Sequence, residues 1–156
     1  MALKDLMEKT AKVASGNVAQ GFMGNSSEVS GNQLQQEYGK YLMNGEVIQK
    51  GYKLIRDVFI VTDRRIIDFD KQGATGKKMS VKSIFLSSII NVETETAGFG
   101  LDDSEITITY ITTPYHKAHT IDLESREFEF PKKYDITELY NLLQETAYEN
   151  YCRINR

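Results

Sequence analysis

The stretch from Arg56 to Lys78 constrains the fold more than any other. It holds two short apolar runs, Val58–Val61 and Ile66–Phe69, on either side of the polar step Thr62-Asp63-Arg64. A glycine loop, Gly73-Ala74-Thr75-Gly76, closes the second run, and a third run begins near Lys78. Runs this short, rich in Val, Ile and Phe and bounded by turn residues, form strands in a meander of hairpins. Asp57–Thr62 is apolar on both faces, and Arg65–Phe69 nearly so. An antiparallel sheet normally keeps one face polar and wet. Something must therefore cover the outer face; N-terminal helices or another subunit are the candidates.

The rest of the chain supplies both ends of that sheet. Leu3, Leu6, Met7, Val13 and Ala14 alternate with charges, which predicts an amphipathic helix over residues 2–14 that docks on its own domain or on a neighbouring subunit. A membrane-surface helix is the sharper alternative, weakened by mixed charge and the lack of large aromatics. Ser15–Ser30 is a Gly/Ser/Asn-rich loop, and Leu34, Tyr38, Tyr41 and Leu42 predict a second helix over Gln33–Met43, ended by Asn44-Gly45. Residues 1–44 thus form a helical extension, and residues 45–152 the main domain. From Glu46 the period becomes two. Strands are predicted through Met79–Leu86, Ile89–Thr96, Glu105–Ile111, a segment with His119, Ile121 and Leu123 on one face, and a last strand with Phe128 and Phe130. Asp135 and Glu138 have capping-box spacing before a helix running to about Tyr148. The fold class is mainly β with flanking helices: a small barrel or sandwich of about seven strands with a C-terminal helix plugging one end.

Composition excludes more than it suggests. A formal charge of −3 gives no global pull toward nucleic acid. The single cysteine, Cys152, cannot form an internal disulfide and reads as an inert thiol near a frayed terminus. No signal-peptide core and no long apolar stretch is present, so the cytoplasm is the expected location.

Candidate chemistry is sparse. Gly73–Lys78 ends like a phosphate-binding loop, but that loop needs four residues between its glycines and Ser or Thr after the lysine. Here two intervene and Lys78 takes the Ser/Thr place, so a hairpin turn is the better reading. His116 and His119 have odd separation, which on a strand sends them to opposite faces and prevents shared chelation; His119 reads as a hydrogen-bonded histidine at the core edge. Asp68 and Asp70 share a strand face and read as exposed, as do the loop residues Asp102-Asp103. Ser87-Ser88 lacks the glycines of a nucleophile elbow. No catalytic, cofactor-binding or metal-binding residue is expected, and no cofactor. Lys50, Lys53, Arg56, Arg64, Arg65, Lys77 and Lys78, with Lys71 and Lys82 nearby, are the candidate contacts for an acidic peptide or a phosphorylated headgroup.

Lys53-Leu54-Ile55-Arg56-Asp57, Thr62-Asp63-Arg64-Arg65, Asp70-Lys71-Gln72-Gly73 and Thr75-Gly76-Lys77-Lys78, continued by Val92–Gly98, resemble the bacterial pleckstrin-homology-domain family. The resemblance covers about Glu46 to Tyr148. It implies a strongly bent seven-stranded barrel capped by a C-terminal helix, and ring-shaped homo-oligomers. Val58, Ile60, Ile66, Leu3, Leu6 and Met7 are then candidate oligomer contacts. Lys50, Lys53 and Arg56 approach the basic hairpin pattern of phosphoinositide-binding relatives, but two residues separate Lys53 from Arg56 and alternation puts them on opposite faces. The expected function is a non-enzymatic binding or scaffold module. Its expected partners are copies of itself and a protein, with anionic membrane surfaces as the alternative.

Overall fold

The computed structural model describes residues 30–54, 57–72, 77–96, 103–132 and 134–156. The helix predicted over residues 2–14, with Leu3, Leu6 and Met7, lies outside them, as do Arg56 and the glycine loop 73–76. Helix α1 (Gly31–Tyr38) leads through a 3-10 turn (Gly39–Tyr41) into β1 (Ile48–Lys53), β2 (Asp57–Thr62), β3 (Arg65–Gln72) and β4 (Lys78–Phe85). A second 3-10 turn (Leu86–Ser88) leads to β5 (Ile89–Glu95), β6 (Ser104–Ile111), β7 (Leu123–Phe130) and helix α2 (Thr137–Ile154). The strands form two antiparallel sheets, β1-β2-β3-β4 and β5-β6-β7.

The first sheet is buried on both faces. Phe59, Val61, Ile66 and Ile84 turn inward and join Ile106, Ile108, Phe128 and Phe130 of the second sheet. Phe59 and Phe128 meet edge to face at 4.5 Å between ring centroids, and each large side chain buried here contributes roughly 1.5–3 kcal/mol. Val58, Ile60, Ile67 and Phe69 turn outward, where Leu34 and Tyr38 of α1 cover them. Tyr38 and Tyr41 both pack on Phe69. The outer cover is therefore the chain's own α1. Of the candidate oligomer contacts, Val58 and Ile60 lie beneath that helix and Ile66 lies in the interior, so none of these three presents a free surface.

Close approach of α1 depends on Gly51. A Cβ there would sit 2.4 Å from Leu34 Cδ1, a side chain with no room to retreat. A register shift between Ile48 and Lys50 breaks the expected alternation. Ile48 consequently faces α1 while Tyr52 faces the interior.

Helix α1 is shorter than predicted. Ser30 caps it, its side chain accepting from Gln33 N, and at Gly39, a poor helix former, the chain tightens into the 3-10 turn. Gly45, with φ of 74°, comes after both and turns the chain toward β1.

Helix α2 extends past Tyr148 and closes the barrel through Ile136, Leu139, Leu143 and Ala147. The predicted capping box does not form. Asp135 Oδ1 accepts from Thr137 N, while Glu138 reaches across to Lys50. Asn150 is a latch that apolar periodicity cannot reveal: its amide donates to Leu86 O at 2.6 Å and Ile89 O at 2.8 Å, holding the second 3-10 turn. Cys152 belongs to this helix and is half-buried, not frayed. His119 is exposed in the 112–122 connection, and β7 runs unbroken from Leu123, so the core-edge histidine is not realised.

Candidate binding site

Strand β4 has no partner on its outer edge within the described sheets, and a groove of about 660 Å³ lies beside it. Lys82–Phe85 form one wall; Tyr110–Pro114 and His116 form the other. Successive strand residues point to opposite faces. That four consecutive β4 residues line the groove means it follows the strand's edge. Phe85 is 52% exposed and Leu123, at the start of β7, 50%. Val81 is also exposed on the same edge strand.

The polar side of the groove is already paired. Lys82 Nζ lies 2.7 Å from Glu124 Oε2 and 5.5 Å from the Tyr110 ring centroid. Tyr110 donates its hydroxyl to the same Glu124 oxygen at 2.8 Å. The Lys82 bond holds the Glu124 carboxyl below its usual range, and burial pushes the Tyr110 phenol up.

Two residues further along β7, Arg126 shares the face of Glu124 and of Phe128. Its Nε donates to Asp68 Oδ2 at 2.8 Å and its Nη2 to Asp57 Oδ2 at 3.0 Å, tying the two sheets together. Asp68 is thus buried and ion-paired, not exposed as predicted. The signal was present in the sequence: Asp68 alternates with Ile66, and Arg126 with Phe128 and Phe130.

The outer face of the second sheet is acidic. Glu95 lies opposite Glu105, and Glu105 opposite Glu129. Glu127 above all, with Glu95, Glu129 and Asp103, raises the Glu105 carboxyl. Oxygens of Glu105, Glu127 and Glu129 lie within 4.8 Å of one another, close enough for a metal ion, but exposed carboxylates stacked across strands adopt that spacing without one.

The predicted basic residues do not form one cluster. Lys53, Lys71, Lys77 and Lys78 stand exposed around the β1–β2 and β3–β4 turns, at one end of the first sheet. Arg64 and Arg65 lie at the other end. Arg64 donates to Asn44 O and sits 3.8 Å from Asp63. Lys50 is taken by Glu138. Arg65 is a structural staple: Nε and Nη2 each donate to Glu46 at 2.8 Å, Nη2 also reaches Tyr41 O at 2.7 Å, and Nη1 reaches Ser83 Oγ at 2.7 Å.

The profile of the bacterial PH domain matches residues 17–147. The chain belongs to the bacterial PH domain family. A Bacillus subtilis (strain 168) relative, the uncharacterized protein YjqA, is 43% identical over 88 residues, 56% of this chain and 70% of that protein. The crystal structure of a DUF1696 family protein with a pleckstrin-homology domain, from Shewanella loihica PV-4, is 31% identical, with a TM-score of 0.58 over 80% of this chain and 98% of its own. A pleckstrin homology domain from Shewanella amazonensis SB2B is 34% identical, with a TM-score of 0.59 over 80% and 94%. In this PH-like barrel the two sheets and α2 account for the inner core, and α1 adds an outer layer on the first sheet. Among the described residues no helix is long and apolar enough to cross a membrane.

Proposed function

We propose that this PH-like domain is a non-catalytic, cytoplasmic binding and scaffold module that assembles with copies of itself into a ring and holds a protein partner. The observation that carries the reading is the β4 edge. It is an eight-residue strand whose outer edge has no partner among the described residues, with Val81 and Phe85 exposed along it and a groove beside it. Such an edge is a template for another chain, which would add a strand and seat alternate side chains. The charges favour a head-to-tail contact. Carboxylates cover the outer face of the second sheet while lysines gather at one end of the first. Two different complementary patches suit a heterologous contact, and a heterologous contact that closes makes a ring.

Size-exclusion chromatography with light scattering tests it. Above monomer mass is expected at micromolar concentration, with Phe85→Asp shifting the chain toward monomer. A clean monomer for the unaltered protein overturns the ring.

The second reading, contact with anionic headgroups, rests on the grouping of Lys53, Lys71, Lys77 and Lys78. It predicts sedimentation with anionic liposomes that strengthens as salt falls, because exposed charges are screened within about 10 Å at 0.1 M salt. No binding at low or physiological salt removes it.

A further inference from the structure

Among the described residues, the seam between the sheets holds more acid than the Arg126 guanidinium can neutralise. Asp57 on β2 lies directly opposite Asp70 on β3, and Asp68 shares the face of Asp70. Arg126 pairs with Asp57 and Asp68. Each of these two carboxylates keeps a second oxygen, Asp57 Oδ1 and Asp68 Oδ1, that is buried without a hydrogen-bond partner among the described residues. An orphaned buried carboxylate oxygen has lost its hydrogen bonds to water without replacement, and like charges directly opposite on a sheet repel. One added proton relieves both problems, since a carboxylic acid is a donor where a carboxylate only accepts.

Among the described residues, the other groups facing this cluster leave it no spare cation. On β4, Lys82 is engaged by Glu124 of β7 and lies against Tyr110 of β6. Just after β1, Leu54 packs inward, while Lys53 at the end of β1 lies opposite Val58 and shares its outward face. On β3, Gln72 approaches Asp70 Oδ2 at 3.5 Å.

We infer that Asp57, Asp68 and Asp70 share a bound proton in the folded chain, and that the Asp57–Asp70 end of the β2–β3 pair loosens when this proton leaves. The strand end therefore responds to pH, and it carries the lysine-bearing turns on either side. Burial first, then the Asp68 and Asp70 charges, push the Asp57 carboxyl up, in keeping with this.

Carboxyl-carbon NMR titration of the full chain tests the inference. The Asp57 carboxyl is expected to titrate above the ordinary aspartate range. Amide-exchange protection at Asp57 and Asp70, corrected for intrinsic rates, is expected to fall by up to about tenfold for each pH unit across that step. Asp57→Asn and Asp70→Asn should each abolish the high titration. If the Asp57 carboxyl titrates at or below the ordinary range, the shared proton is overturned. A high titration that moves on adding magnesium at constant ionic strength also overturns it, because a metal ion would then be the occupant. A high titration with unchanged protection overturns the loosening.

Discussion

Two buried charge sites sit at opposite ends of the first sheet and solve the same problem differently. At one end Glu46 and Arg65 are matched one to one. Both Glu46 oxygens meet the guanidinium, and they also accept from Met43 N at 2.7 Å and Thr62 Oγ1 at 2.7 Å. At the other end Arg126 faces Asp57 and Asp68, with Asp70 opposite Asp57, and two oxygens find no partner among the described residues. The first site is complete and therefore rigid. The second is over-acidic among the described residues, and a bound proton would relieve it. A buried ion pair adds stability when its geometry satisfies every lone pair and proton, and costs stability when it does not.

The largest expected effect breaks the complete site. Arg65→Met strands the Glu46 carboxylate and releases Tyr41 O and Ser83 Oγ, so it should cost about 3–5 kcal/mol in urea or thermal unfolding. Arg126→Met should cost less at neutral pH, roughly 2–3 kcal/mol, because the remaining acids can take up protons. Its cost should grow as pH rises. Equal, pH-independent losses for the two variants would erase the distinction between the sites.

The pH dependence of stability should differ in sign. The Arg65 bonds foremost, aided by those from Met43 and Thr62 and opposed by burial, lower the Glu46 carboxyl to about 2. Its ordinary value is 4.5, so its contribution is complete above that value and lost as pH falls through about 2. That loss amounts to about 3 kcal/mol, and it should vanish in Glu46→Gln. For Asp57 the carboxyl is raised, so the folded chain holds a proton that the unfolded chain has released. Its contribution is present below 3.8 and fades as pH rises through the folded value.

The contrast also separates what residues announce from what they hide. Short apolar runs, turn glycines and the stripe of Ile136, Leu139 and Leu143 are local periodicities, so strands and closing helix were legible. So was the doubly apolar first sheet, although only the fold shows that α1, and not a second copy, covers it. Ion pairs join residues far apart in sequence. Nothing near Arg65 distinguishes a staple to Glu46 from a surface arginine, and it passed for a binding residue. Asn150 sits in a polar gap between buried turns of α2, with no local mark that it holds the 3-10 turn. The groove arises where β4 passes the end of β6, a meeting set by the packing of two sheets.

The smallest effect is the most discriminating, because its sign is unusual. Asp57→Asn keeps an oxygen to accept from Arg126 and gains an amide that can donate to Asp70, which lies directly opposite. It removes one of the three negative charges while preserving shape. Substituting a residue of an ordinary buried salt bridge destabilises. Here the folded protein should be stabilised at pH 7, by ~1 kcal/mol or less given the strength of cross-strand charge pairs. The gain should shrink as the pH is lowered and Asp57 of the unaltered chain takes up its own proton. Thermal midpoints of the two proteins measured side by side from pH 4 to 8 decide the matter. A variant less stable than the parent at pH 7 would mean that Asp57 completes an ion pair like that of Glu46, and the two ends of the sheet would be alike.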